Sequence, residues 1–433
     1  MVGITKRDVA SHSTRAIPVH VRHHNRALVL RTAWERESVS RAELSRLTGL
    51  SGPIITDIVN ELLMVQLVRE DGLQQSSGGR RATALRIEEQ ARYVVGVDLA
   101  RHRTRIAISD LNGRLLHRRS IPTSDLPDTQ ANLRWLQDLI ATVLAESAIT
   151  RERLLGIGIG APGPLSNTTG EILAPTNFGH WQRLPIRSTL EHRFGVSVRV
   201  DNDANACALA QRLFGAGRTT RNFVYFAAGS GVGAGLVMNG EIYRGGHDLA
   251  GEIGHTTVEP DGPVCPCGNR GCLELYTTVR ATLARWPGAS LPITPVNEIT
   301  EAKALIESAR NGDQQARNAL ATTARYLSIG VINAINAYDP DLVIIGRELA
   351  DAGDLVIDPI REEVARRAFP TAMRNVLIEP DGLGEDTPLL GAVCLILREL
   401  FLDTSLLSDL ILSSDGSSAD RPVVRSWSSG HDV

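Results

Sequence analysis

The sequence predicts a multi-domain chain: an N-terminal winged helix-turn-helix, mainly α, followed by a two-lobed α/β body with a structural zinc knuckle. Three observations predict it. Residues 26–65 carry helical apolar spacing around a short glycine turn, and from residue 93 strand-like runs alternate with helical ones in two comparable halves. One imidazole and three thiols then crowd the run from His255 to Cys272. At 433 residues the chain is too long for one ordinary core, so two or three domains are expected.

The N-terminal elements follow in order. Leu30, Ala33 and Trp34 recur on one face of a first helix. Residues 40–43, SRAE, form a capping box from Ser40 to Glu43 that starts a second helix and turns Leu44 and Leu47 inward. The turn Thr48, Gly49, Leu50, Ser51 comes next. Ser51 is placed to cap a third helix, with Pro53 in its first turn and Ile55, Ile58, Val59 and Leu62 as its buried stripe. Gly52, Pro53, Thr56, Asp57 and Asn60 then face out. Helix, glycine turn, helix is the pattern in which the second helix enters the major groove.

LVRED and ATALRI flank a tip at residues 74–81, QQSSGGRR, as the strands of a hairpin would. Such a tip is a wing, with Arg80 and Arg81 where a wing meets phosphates or the minor groove. The expected DNA contacts are Ser51, Pro53, Thr56, Asn60, Arg80 and Arg81. Asp57 weakens the helix contribution, because a carboxylate near phosphate is repelled unless it reads a cytosine amine. Ahead of the helices lies a basic arm, residues 1–24; Lys6, Arg7, Arg15, Arg22, Arg26 and Arg31 face only Asp8 before residue 35. Basic charge at one end suggests a polyanion partner for that end. The plainer alternative is a small helical interaction module with a solvated basic loop.

The body opens with paired strands at 93–98 and 104–110, and another at 154–160. Runs at 223–226, 235–238 and 342–346 repeat the plan, with helices between. Two such halves imply a cleft between lobes. Hydrophobic content of 42%, charged content of 22% and a net charge of -3 exclude a disordered tail or a wholly basic nucleic-acid coat as the main architecture. The Ser- and Asp-rich end beyond about residue 404 lacks a helical or strand period and reads as a flexible tail, residues 405–433.

His255, Cys265, Cys267 and Cys272 supply one nitrogen and three sulfurs, a tetrahedral zinc set, and Gly268 and Gly271 let the knuckle bend tightly. Four protein ligands leave no open position, so this zinc is structural. Unrelated buried thiols are the alternative, but C-x-C-G-x-x-G-C behind a histidine is too ordered for that. Of five cysteines, Cys207 and Cys394 remain, inside apolar stretches. With no disulfide framework, no signal peptide and no apolar span long enough for a bilayer, the expectation is a reducing, cytoplasmic location without a membrane.

Four stretches together resemble the ROK family (repressor, open reading frame, kinase): CPCGNRGCLE at 265–274, GEIGH at 251–255, DNDAN at 201–205 and GAPGP at 160–164. The resemblance reaches from near the N-terminus to about residue 400. It points to the regulator branch with an N-terminal winged helix-turn-helix, similar to xylose- and N-acetylglucosamine-type repressors. It implies a sugar-kinase-like body (actin/hexokinase-like, ribonuclease H-like) over residues 91–404, behind a DNA-binding domain at 25–90. It also implies that Asn202 and Asp203 hold one sugar hydroxyl, with Asp203 as general base in the kinases. Glu252, His255 and Glu274 would contact the others, His255 binding zinc as well. Carboxylates plus an amide suit a ring of hydroxyls, since each can accept from or donate to one.

Family kinases hold ATP phosphates with an Asp-x-Gly-Gly-Thr turn, because only glycine lets backbone N–H groups approach phosphate closely. Here Asp98 and Leu99 are followed by Ala100, Arg101 and His102. The second phosphate loop, Gly229 to Gly235, is intact, while Gly346 is followed by Arg347 where the kinases commonly carry glycine. The expectation is therefore no enzyme, with Asp203 a ligand-binding carboxylate. The expected role is a sugar-responsive DNA-binding transcriptional regulator, a repressor, of carbohydrate-related genes. Its partners would be operator DNA and a sugar or sugar-phosphate effector, in a homodimer or homotetramer. One rival is an ATP-dependent hexose or N-acetylhexosamine kinase using Asp203 as base; another is a regulator whose input is a protein partner.

Overall fold

Local capping and spacing build the first elements as the sequence implies. The computed structural model describes residues 18–73, 82–175, 178–294, 297–369, 376–403 and 405–414. Helices α1 (Pro18–Trp34), α2 (Arg41–Thr48) and α3 (Gly52–Met64) precede the hairpin β1 (Val68–Leu73) and β2 (Thr83–Ile87). The Ser40 hydroxyl accepts from the Glu43 N–H at 3.3 Å, and Glu43 accepts from the Ser40 N–H at 2.8 Å, a complete capping box. Gly49 ends α2 in the left-handed region at φ 73°, the conformation a Cβ disfavours. Ile55, Ile58, Val59 and Leu62 are buried along α3. Ser51 occupies the N-cap of α3 but makes no side-chain capping bond, so its hydroxyl stays exposed instead of closing the helix. β1 and β2 pair antiparallel, and Val39 bridges Leu85 as a third edge. The tip with Arg80 and Arg81 lies outside the described residues.

Two expectations for the ends are corrected. Residues 18–24, assigned to the basic arm, are the first turns of α1, and Arg22 and Arg26 pair with Glu61 of α3. Those two cations neutralise a carboxylate within the fold. At the other end the expected flexible tail begins as a helix, α13 (Ser405–Ser414), with Leu406, Leu407 and Ile411 buried. This helix packs against α1, and Ser408 bonds His23 Nδ1 at 2.6 Å. The first compact unit thus joins the chain before Glu89 to the segment from Arg398 through α13. Its Trp34 and Phe401 rings stack at 4.5 Å.

The second unit runs from Glu89 to Leu397. Its first half contains β3 (Tyr93–Leu99), β4 (Arg103–Ser109), β5 (Leu115–Pro122), α4 (Thr129–Glu146), β6 (Leu154–Ala161), the small hairpin β7 (Leu165–Ser166) and β8 (Glu171–Ile172), α5 (Ile186–Phe194) and β9 (Ser197–Asn202). The helix α6 (Asp203–Phe214) leads into β10 (Phe223–Ala228), β11 (Val232–Met238) and β12 (Glu241–Ile242). Helices α7 (Glu274–Thr277), α8 (Val279–Leu283), α9 (Glu298–Arg310) and α10 (Gln314–Tyr338) follow, then β13 (Leu342–Gly346), α11 (Asp354–Arg367), β14 (Leu377–Pro380) and α12 (Thr387–Phe401).

The strands form two five-stranded sheets on one plan, β5-β4-β3-β6-β9 and β12-β11-β10-β13-β14. In each, a hairpin's antiparallel pair meets parallel strands: β3 with β6, and β10 with β13. Strand alternation explains the layers. Val95 and Val97 turn one face of β3 to α4, while Gly96 turns the other to α12, where a Cβ would meet Val393 Cγ2 at 2.7 Å. Gly235 on β11 admits α6 closely enough that a Cβ there would lie 2.4 Å from the Ala204 carbonyl oxygen. The approach at Gly235, with α6 following directly on β9, sets the N-terminus of α6 beside strands of both sheets. Among the described residues no helix is long and apolar enough to cross a membrane.

Candidate functional site

A cleft of about 840 Å³ opens between the two sheets, and Asn202, Asp203, Glu252, His255 and Glu274 all line it. The turn from β9 into α6 places the first two. Asn202 caps α6 through its Oδ1, which accepts from the Ala204 N–H at 2.8 Å, leaving its amide nitrogen to donate into the cleft. Gly163 of the GAPGP turn lies between Asn202 and Glu252: a Cβ there would be 3.0 Å from Asn202 Nδ2 and 3.3 Å from a Glu252 carboxylate oxygen. Glu274, at the start of α7, accepts from the Val232 N–H at 3.1 Å. Burial pushes the Glu252 carboxyl up, with His255 opposing. Donors and acceptors from four loops thus converge on one volume, as recognition of a polyhydroxylated ligand requires.

Arg347 is the cleft residue that the sequence pattern did not assign to the site. It follows β13 and reaches Asp203 Oδ2 from Nη2 at 3.3 Å and Asp98 Oδ1 from Nη1 at 3.8 Å. Burial opposes its charge, but Asp98, Asp203 and Glu348 outweigh it and push the guanidinium value up. For Asp203 burial dominates and raises the carboxyl, with Arg347 pulling the other way. Arg347 has φ 67° and ψ -159°, a region natural to glycine, which costs a side-chain-bearing residue about 1–3 kcal/mol. Its pairing with two carboxylates offsets that strain. The position where the family's kinases carry glycine signalled a change here, but the partners 144 and more residues away could not be read from it.

The rest of the cleft is lined by charges of both signs, with Arg103, Arg105 and Lys303 among the cations. Glu298, Glu348 and Asp351 sit there with Arg101 and His102, the residues of the altered turn. A Cβ on Gly229 of the retained glycine loop would lie 1.9 Å from Glu348 Oε2, so a carboxylate abuts that loop. Burial and repulsion by Arg280 push the values of both Arg101 and His102 down, His102 being repelled by Arg101 as well. Burial likewise pushes the Glu298 carboxyl up, against Arg280. A carboxyl raised on folding is a stability cost where it is ionised, and that cost disappears as pH falls to the unfolded value. Glu298→Gln is therefore expected to raise the thermal midpoint at neutral pH, with the gain vanishing by about pH 4. A midpoint unchanged at neutral pH in scanning calorimetry would contradict it.

His255, Cys265, Cys267 and Cys272 meet with their ligand atoms within 4.8 Å of one another. His255 Nδ1 lies 3.7 Å from Cys265 Sγ, and the sulfurs of Cys267 and Cys272 are 3.7 Å apart. Tetrahedral metal–sulfur bonds of about 2.3 Å require sulfurs separated by roughly 3.8 Å, so the geometry fits a single ion. Gly271, at φ 60°, permits the bend, since a Cβ there would meet the Glu259 carbonyl oxygen at 1.7 Å. The four residues could hold a metal ion. With Nδ1 turned to the sulfurs, Nε2 of His255 lies 4.0 Å from Glu252, so one imidazole touches both centre and cleft.

On α3, Ser51, Pro53, Thr56 and Asn60 are exposed, as is Asp57, while the opposite face is buried. The Thr56 hydroxyl donates to the Gly52 carbonyl at 2.9 Å, the local bond typical of threonine in a helix. Sequence reasoning also missed Arg244, whose guanidinium pairs with the buried Asp201 of the DNDAN run, and Arg105, which holds Asp98 Oδ2 at 2.8 Å. Neither stands in a local pattern that announces its partner.

Comparison with known proteins bears on this arrangement. The chain is 32% identical over 384 residues to the xylose repressor of Caldicellulosiruptor bescii, covering 87% of this chain and 96% of that protein. A crystal structure of a ROK family transcriptional regulator, a homologue of the E. coli MLC protein, matches with TM-score 0.77 at 25% identity, over 91% of this chain and 100% of that one. A ROK glucokinase from Streptomyces griseus, solved with glucose and AMPPNP, matches with TM-score 0.61 at 29% identity, over 70% and 98%. The ROK family model covers residues 94–399, most of the chain, from β3 into α12. By motif, sheet plan and cleft, this chain belongs to the ROK family, a sugar-kinase-like α/β body behind a helical N-terminal region.

Proposed function

We propose that this protein is a sugar-responsive transcriptional repressor whose N-terminal unit is a winged helix-turn-helix and whose cleft binds its effector without phosphoryl transfer. The observation that carries it is the reach of the regulator match: 91% coverage extends well outside residues 94–399, whereas the glucokinase match stops at 70%. The part shared with regulators alone is thus the part with the exposed face of α3. Ser51, Pro53, Thr56 and Asn60 would read the major groove, and Arg80 and Arg81 of the wing would meet the backbone. A homodimer or homotetramer would present two such units to a roughly palindromic operator.

In the cleft, Asn202, Asp203, Glu252, His255 and Glu274 would bind the sugar. The metal centre would hold structural Zn²⁺ and fix His255 and Glu274. The Glu348 carboxylate against the glycine loop argues against a bound triphosphate, whose charge it would oppose. The retained Asp203 and glycine loop favour the kinase reading, which predicts sugar-dependent ATP consumption abolished by Asp203→Asn.

The test is selection of genomic DNA fragments by the purified protein, followed by anisotropy titration of the best fragment with D-xylose, D-glucose and their phosphates. A palindromic site whose affinity one sugar weakens roughly 5- to 150-fold is expected. No specific site would reject the regulator and direct attention to ATP turnover. Specific binding unaffected by every sugar would point to a protein partner as the input.

A further inference from the structure

Three features bear on what the cleft does besides bind. Asp98, on β3 of the first sheet, is 1% exposed, and its Oδ2 is held by Arg105. Its other oxygen, Oδ1, is buried and has no hydrogen-bond partner among the described residues. Nη1 of Arg347, which extends from β13 of the second sheet, stops 3.8 Å away, just beyond bonding distance. The same guanidinium donates to Asp203 at the base of the cleft through a long bond of 3.3 Å.

We propose that Arg347 is an inter-lobe latch that determines how Asp203 is used, and that it converts sugar binding into closure of the cleft. This rests on the sugar-binding reading above. One guanidinium is shared between two carboxylates, at 3.8 Å from Asp98 and 3.3 Å from Asp203, and satisfies neither well. A sugar hydroxyl donating to Asp203 takes over part of that carboxylate's bonding capacity, and Arg347 turns to the vacant oxygen of Asp98. An unpaired buried carboxylate oxygen is costly, so the completed pair favours the arrangement in which the two sheets approach each other. The distance to be gained is under about 1 Å, the scale on which packed lobes shift.

Two properties of Arg347 fit this role. A fork of several N–H donors can hold one carboxylate while engaging another, as a lysine's single ammonium cannot do with the same geometry. Its backbone also sits in a conformation natural to glycine, so the chain retains a strained residue where an unstrained one would fit. Strain of this kind persists where the side chain makes contacts that the surrounding fold depends on.

Arg347→Gly relieves the backbone strain and is expected to fold; Arg347→Lys keeps the charge without the fork. Full-length protein and both variants are titrated calorimetrically with D-xylose and D-glucose, and hydrogen exchange is followed in peptides spanning β3 and the segment after β13. In the unaltered protein a bound sugar is expected to slow exchange at both segments by roughly 5-fold or more. Arg347→Gly is expected to bind sugar without that protection, and Arg347→Lys to recover only part of it. Equal protection in all three proteins, or binding without protection in the unaltered one, overturns the latch while leaving the sugar site standing. Absence of sugar binding in the unaltered protein overturns the sugar-binding reading, and the latch with it.

Discussion

Replacing Cys267 by serine is expected to remove metal from the proposed centre and to weaken the proposed sugar site at the same time. Cys265 and Cys272 are buried, while Cys267 is exposed and completes the candidate ligand set. Three ligands with a hydroxyl in place of a thiolate hold zinc far less tightly, because a hydroxyl near neutral pH carries no charge for the ion. The loss propagates through the backbone. Thr257 bridges Cys272, the Leu273 N–H donates to the Thr256 carbonyl at 2.9 Å, and Glu274 begins α7 immediately after. Without the ion this run loses its clamp, and both His255 and Glu274 lose their fixed positions toward the cleft. Groups supporting a metal site typically alter affinity by about 10- to 100-fold, and a similar loss of sugar affinity is expected here. Metal content measured on purified protein should fall from one ion per chain toward zero, with a lower thermal midpoint for the second unit. Stoichiometric metal in the variant would show that the ligand set is wrong.

Adding a single methyl group at Gly158 is expected to be nearly as damaging, for a purely steric reason. Gly158 lies in the middle of β6, and a Cβ there would stand 1.8 Å from the Ala392 carbonyl oxygen of α12. That neighbour is backbone, so no rotamer change relieves the clash, and α12 must move off the sheet. Overpacking a well-filled core costs about 1–3 kcal/mol, and more where backbone must shift, so a loss of at least about 3 kcal/mol is expected. For a unit of this size that corresponds to a fall of roughly 5 °C in the thermal midpoint. Gly179→Ala serves as the control, since nothing lies within 4 Å of its added carbon. Calorimetry that finds the two variants equally stable would contradict the packing of α12 on β6.

Neither effect could be foreseen to the same degree from the chain alone. The clustering of the four candidate metal ligands was legible because residues with metal-binding side chains fall in one short run, and local spacing suffices to bring them together. The run LLGIGIGA, by contrast, announces a strand without saying why alternate residues are glycine. For Gly156 and Gly158 the answer is a helix more than two hundred residues later that needs a smooth face, and only the assembled sheet supplies that reason. The C-terminal helix shows the limit from the other side. Leu406, Leu407 and Ile411 carry a helical spacing, but among serines and aspartate it was outweighed by composition, and it became a helix because α1 offers it an apolar face.

What the sequence determined by itself had a local cause: the capping box at Ser40, the buried stripe of α3, the strand alternation and the clustering of the knuckle residues, although Ser51 makes no capping bond and Leu47, read as turned inward, is exposed. Each of these rests on periodicity or on side chains a few residues apart, where backbone geometry alone fixes who meets whom. The tertiary structure decided which charges pair. Arg22 and Arg26 were read as free cations for a polyanion and are bound to Glu61; Arg347 was read as a lost glycine and stands between Asp98 and Asp203. Coulomb attraction depends on distance through space and leaves no period along the chain, so these partners exist only once the helices of the first unit and the two sheets of the second have each come together.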